Sequence, residues 1–154
     1  MDMTDAGDTV TRMLHAVDAK DWDGVRAEFA DRLDMDYSSL FGDPPARVDA
    51  DQQVAGWRQF AGAFDVTEHI TGPIVVTHAD GGAVARTHVR AYHRVLGAPG
   101  GDVWMVAGHY LLKLAPAGER WKITGITLTV FYQEGNREIP AIARDRAAAR
   151  TPHA

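Results

Sequence analysis

From Ala83 to Val95 the sequence alternates without a break. One parity reads Ala85, Thr87, Val89, Ala91, His93 and Val95; the other reads Val84, Arg86, His88, Arg90, Tyr92 and Arg94. Side chains on a strand point to opposite faces in turn. A period of two sustained this long therefore dictates one long strand, with an apolar face on a core and an arginine-rich face in water. Three further β runs surround it. "ITGPIVVTHA" leads to the hairpin signal "DGG"; "DVWMVAGHYLLKL" follows the turn "GAPGG"; "RWKITGITLTVFYQ" follows "APAGE". The glycine-rich turns join strands rather than opening helices, so they are not phosphate cradles.

Before Val66 the texture is different. Val10, Met13, Leu14 and Val17 recur at helical spacing and predict an amphipathic helix over about 8–20. Asp21 is a cap for a short second helix with Trp22, Val25 and Phe29 on its apolar side. Leu33, Met35 and Tyr37 alternate with Asp34, Asp36 and Ser38 as a half-buried strand. "FGDPP" reads as a loop, and Val54, Trp57, Ala61 and Phe64 give a third helix capped by Asp49 or Asp51. Helices first and a long antiparallel sheet after make an α+β domain, in which helices covering one face of a sheet let it curl around a cavity. The chain reads as a single domain, residues 1–154, with its core over about 9–134 and a polar, alanine-rich tail from 135 to 154 that forms a loose helix.

Composition excludes several functions. With no cysteine there is no disulfide, thiol nucleophile or thiolate metal site. The net charge of −5 opposes nucleic acid as the main partner. No apolar run nears the roughly 18 residues of a membrane span, and the N-terminus lacks a basic segment followed by an apolar one, so a cytoplasmic location is expected. There is no nucleophile elbow of the G-x-S-x-G kind and no histidine pair at zinc-protease spacing, so neither a serine hydrolase nor a metal site is expected.

The polar residues near apolar faces carry the rest. Asp18 falls at the edge of the first helix's apolar stripe, close to the helix C-terminus, where the dipole disfavours a carboxylate. It needs a partner; capping the next turn is one possibility. His69, in "VTEHITG", is either an exposed strand end or a pocket residue. His93 lies on the apolar parity of its strand, as a core histidine or a site residue, whereas His88 lies on the solvated one. His109 sits in a run apolar on both parities, which leaves its direction open, and His15, His78 and His153 read as surface or tail residues.

Taken in order, "AVDAKDWDGVRAEFADRLDMDYSSL", "TEHITG" and the closing "RWKITGITL" resemble the scytalone dehydratase-like, SnoaL-like group of the NTF2-like superfamily, over about Thr9 to Glu134. The resemblance implies a cone-shaped barrel with N-terminal helices packed on a curved, mainly antiparallel sheet. It implies a dyad in which Asp18 orients His69 as a base, with Tyr37 holding a substrate oxygen and His93 as a second pocket histidine once a one-residue gap is allowed. Two positions depart from the group's pattern: Val17 replaces a tyrosine before the aspartate, and Gly108 and Tyr110 stand near a serine and an asparagine.

The expected function is a cofactor-independent lyase or cyclase acting on a small apolar substrate of aromatic or polyketide type. Histidine can take and return a proton near neutrality, and a buried carboxylate on one ring nitrogen fixes its tautomer. Trp57, Phe64, Met105 and Tyr110 are candidate pocket walls, with plain core packing as the alternative. The group's habit is a homodimer or homotrimer. The rival expectation is a non-catalytic binding or structural subunit, which would have no need of an aspartate aimed at a histidine.

Overall fold

The computed structural model of the protein describes residues 2–150. Its α+β architecture follows the change of texture at Val66. Helix α1 (Met3–Asp18) is capped by Asp2, whose side chain accepts from the Thr4 amide, and buries Ala6, Val10, Met13, Leu14 and Val17. Lys20 takes a positive φ of 56° and turns the chain into α2 (Trp22–Glu28), which Asp21 caps at the Gly24 amide. Phe29, expected in this helix, is already the first residue of strand β1 (Phe29–Asp36). At the end of α2 the buried carboxylate of Glu28 meets Arg12 of α1 and Arg120, each at 3.2 Å, which satisfies a charge that burial alone would penalise.

Strand β1 stops where Asp36 accepts from both the amide and the hydroxyl of Ser38. A single turn, α3 (Ser38–Phe41), follows and ends at Gly42. Beyond the prolines that close the expected loop comes a short strand the sequence did not announce, β2 (Ala46–Asp49), antiparallel to β1. Of the two caps considered for α4 (Ala50–Ala61), Asp49 is the one in place, accepting from the Asp51 and Gln52 amides. Phe64 lies beyond this helix.

"ITGPIVVTHA" is two strands rather than one. β3 (Val66–Thr71) and β4 (Val75–Ala79) both pair antiparallel with β5 (Gly82–Arg94), one after the other along its length. Pro73 falls between them, and proline has no amide hydrogen to give to a ladder. The β4–β5 turn uses positive φ at Asp80 and Gly81, the two-residue hairpin geometry expected of "DGG". β6 (Val103–Ala117) and β7 (Arg120–Gly135) complete a sheet of order β2-β1-β7-β6-β5-β3, with β1 parallel to β7 and the other pairs antiparallel. Register shifts at Ala107/Gly108 and Lys113/Leu114 bend the long β6–β7 ribbon. At the first of these only glycine fits: a Cβ on Gly108 would sit 2.3 Å from the Thr129 carbonyl oxygen.

The sheet curls around α1 and α4, and its inner face holds the core. β5 obeys its alternation: Ala83, Ala85, Thr87, Val89, Ala91 and His93 are buried. The tail from 139 is helical, α5 (Ile139–Arg150); Ile139 and Ala143 bury against the core, and Arg146 donates to the Leu96 carbonyl. Among the described residues no helix is long and apolar enough to cross a membrane.

Candidate active site

The C-terminus of α1 carries an acid where the helix dipole disfavours one. Strand β3 supplies its compensation. The Asp18 carboxylate accepts from the Thr67 hydroxyl (3.0 Å), the His69 amide (2.8 Å) and His69 Nδ1 (2.7 Å). Thr67 and His69 are two residues apart, so the strand period puts both on the inner face, towards α1. Burial pushes the Asp18 carboxyl up, but its bonds to His69 and Thr67 and the nearby imidazole outweigh that and hold it below the ordinary carboxylate range. An ionised carboxylate can only accept, so Nδ1 carries a proton, and in the neutral imidazole Nε2 then keeps its lone pair. His69 lines a cavity that Asp18 does not reach. The ring edge left to the cavity is therefore the basic one.

That cavity has a volume of about 440 Å³ and lies between the helices and the inner face of the sheet. Aromatic rings make much of its wall: Tyr37, Trp57, Phe60 and Trp104. Among the described residues no lysine or arginine lines it.

His93 sits beside His69, with ring centroids 6.4 Å apart. It stacks on Trp104 at 4.3 Å and touches Phe64 at 5.0 Å. Its Nδ1 lies 3.2 Å from the Trp104 carbonyl oxygen, an acceptor, so Nδ1–H donates and Nε2 is again a lone pair. Burial first and the His69 ring second push its pKa down to about 4, which leaves it neutral at neutral pH. Tyr110 and Tyr37 also face the cavity. Burial raises both phenols, Tyr110 to about 12 and Tyr37 well above the ordinary value.

The structure thus brings Asp18, His69, His93, Tyr37, Trp57 and Tyr110 to one place. It corrects three placements. Tyr37 is not on a strand: β1 has ended, and Tyr37 is the residue that caps α3, though its ring faces the cavity. Phe64 is not a wall; it is buried behind the wall, against Phe60, His93 and Trp104. Met105 is not a wall either. It lies on the outer face, between Tyr92 and Glu134 in register, because its neighbours Trp104 and Val106 take the inner parity. His109 also faces outward, its ring 5.8 Å from that of His88. His15 and His78 are exposed, and His153 lies outside the described residues. Sequence reasoning missed Thr67 and Phe60. The first was signalled by its parity with His69, the second by its spacing from Trp57.

A model of the SnoaL-like domain matches residues 1–127. The chain belongs to the SnoaL-like family. Among solved structures, this SnoaL-like protein is similar to one from Kribbella flavida, at 30% identity over 92% of this chain and 95% of that one, with a TM-score of 0.81. It is also similar to a candidate scytalone dehydratase from Novosphingobium aromaticivorans (18% identity, 88% and 87% covered, TM-score 0.72). A hexachlorocyclohexane dehydrochlorinase shares the fold as well (11% identity, 86% and 87% covered, TM-score 0.72). Among curated proteins, none matches the chain. The fold is thus the NTF2-like cone: helices on a curved, mainly antiparallel sheet.

Proposed function

We propose that this protein is a cofactor-independent acid–base enzyme, a dehydratase-type lyase or a cyclase, acting on a small apolar substrate of aromatic or polyketide type. The observation that carries the proposal is the 2.7 Å contact of Asp18 with His69 Nδ1, which aims the other ring nitrogen at an aromatic cavity. Two structural relatives bear the names of eliminations, loss of water and loss of hydrogen chloride, and that supports the same chemistry here.

In a dehydration, His69 Nε2 takes a proton from the carbon next to a substrate carbonyl, and the C–H electrons pass into an enolate. Asp18 stabilises the imidazolium so formed. The Tyr110 hydroxyl, beside Tyr37 on the cavity wall, donates to the enolate oxygen, while neutral His93 accepts from a substrate hydroxyl through Nε2. The enolate then collapses, the C–O bond at the β carbon breaks, and His69 returns its proton to the departing hydroxide, giving water and a conjugated product. With no lysine or arginine on the wall among the described residues, and with Asp43 lining it, the cavity offers no counter-charge to an anionic ligand. Ile70, Phe131 and Tyr132, exposed on the outer face of the sheet, support self-association as a dimer or trimer.

The test is a screen of cyclic and aryl β-hydroxy ketones, read by the ultraviolet absorbance of the conjugated product. Turnover is expected in the native protein and lost in His69→Ala and in Asp18→Asn, with both variants folded. Full activity in both variants sinks the mechanism.

A further inference from the structure

We propose that Lys20 is a positioning residue for the Asp18–His69 pair: it clasps the turn that delivers β3 to the end of α1. This rests on the dyad assignment above. Lys20 does not line the cavity. Its ammonium group donates to the Phe64 carbonyl at 2.6 Å and to the Gly62 carbonyl at 3.3 Å, more than forty residues away in sequence. Gly62 is the C-cap of α4, so the cation also meets the negative end of a helix dipole.

The backbone of Lys20 makes the case independently. Its φ of 56° is left-handed, a region that residues with a Cβ rarely adopt and that is retained where surroundings over-determine it. The main chain there closes α1, Ala19 bonding back to His15 and Lys20 to Val17, so the same residue fixes where α1 stops and hence where Asp18 stands. The segment it grips, 62–64, leads directly into the strand that carries Thr67 and His69. It also carries Phe64, whose ring lies 5.0 Å from that of His93. One side chain therefore ties the acid's helix to the base's strand and to the packing behind the second histidine. The 2.7–3.0 Å bonds at Asp18 require both elements in register, and the clasp adds to them a polar tie between the end of α1 and the segment that enters β3.

The experiment compares hydrogen exchange at His69, by nuclear magnetic resonance, in the native protein, Lys20→Met, Lys20→Arg and Asp18→Ala. The readouts are the His69 Nδ1 proton and the His69 amide, both of which bond Asp18; the Leu112 and Ile123 amides in the core report global opening. In Lys20→Met the His69 protons are expected to exchange about tenfold faster while the core amides do not change, a local opening rather than unfolding. Lys20→Arg, which keeps a long cationic donor, is expected to stay within about twofold of the native rate. Unchanged His69 exchange in Lys20→Met overturns the proposal. So does equal acceleration at His69 and in the core, which would make Lys20 a general stabiliser. Asp18→Ala, which removes the acceptor of the His69 amide, separates the two levels of argument: if it fails to accelerate exchange at that amide, the dyad contact itself is wrong and the clasp falls with it.

Discussion

Replacing Asp18 by asparagine tests the dyad without disturbing its shape, and the outcome can be worked from three hydrogen bonds. The His69 amide can only donate, so the asparagine oxygen must take the place of Oδ2, 2.8 Å from it. The amide nitrogen then falls where Oδ1 was, 2.7 Å from His69 Nδ1. A nitrogen that only donates faces that ring atom, so Nδ1 must become the acceptor and the imidazole proton must move to Nε2. Thr67 adapts by rotating its hydroxyl. The fold keeps its contacts, but the nitrogen facing the cavity changes from a base into a donor. A tautomer inverted in this way lowers turnover about 10⁴-fold in the serine-protease precedent. Stability falls less: charge assistance lost at these bonds is worth about 1–2 kcal/mol. For a chain of this size that lowers the melting temperature by roughly 2–8 °C. Two-bond nitrogen–proton correlation spectra report the tautomer directly and need no substrate. The native protein should show the proton on Nδ1 and the variant should show it on Nε2. A variant that keeps the proton on Nδ1 refutes the reasoning.

His93 makes stability depend on pH. Its folded pKa of about 4 lies below the ordinary 6.5, so the unfolded chain binds the extra proton first. Stability should fall as pH drops from 6.5 towards 4, and His93→Phe should flatten the melting curve over that window; His109, also lowered by burial and then by His88 and Arg86, leaves a residual slope. Asp18, held below the ordinary carboxylate value, loses its contribution only at lower pH. Four tyrosines are present, and the burial of Tyr37 and Tyr110 predicts that two remain un-ionised at about pH 11 in a spectrophotometric titration, whereas four equal titrations would contradict the buried hydroxyl pair. Gly108→Ala forces a Cβ to within 2.3 Å of a backbone oxygen and should destabilise by about 1–3 kcal/mol in denaturant unfolding, while a neutral result would mean that the β6–β7 bulge can relax.

The parts of this molecule legible in sequence are those where polarity contrasts. β5 alternates between small apolar and arginine side chains, and that contrast alone put His93 on the inner face. In β6 the contrast vanishes: Trp104, Met105, Val106 and Ala107 are all buried, so parity could not tell that Met105 faces outward. β2 was missed because "ARVD" follows two prolines and has only four residues. Tyr37 kept its cavity but lost its strand, because the Asp36 side chain starts a helical turn that no periodicity announces. The meeting of Asp18 with His69 spans 51 residues of sequence, and only the resemblance to known proteins suggested it. The Lys20 clasp left no trace in the sequence beyond a lysine in a turn.

The cavity wall also has a bearing on how such a protein changes its diet. Nearly half of its lining comes from one continuous stretch, 37–61, running through α3, β2 and α4, whereas Asp18, Thr67, His69 and His93 come from outside it. The parts proposed to move protons and those that shape the cavity thus occupy different lengths of chain. Under the proposed mechanism, drift in the second can proceed while the first stands still, so a relative could keep the same acid–base pair and refuse this protein's substrate.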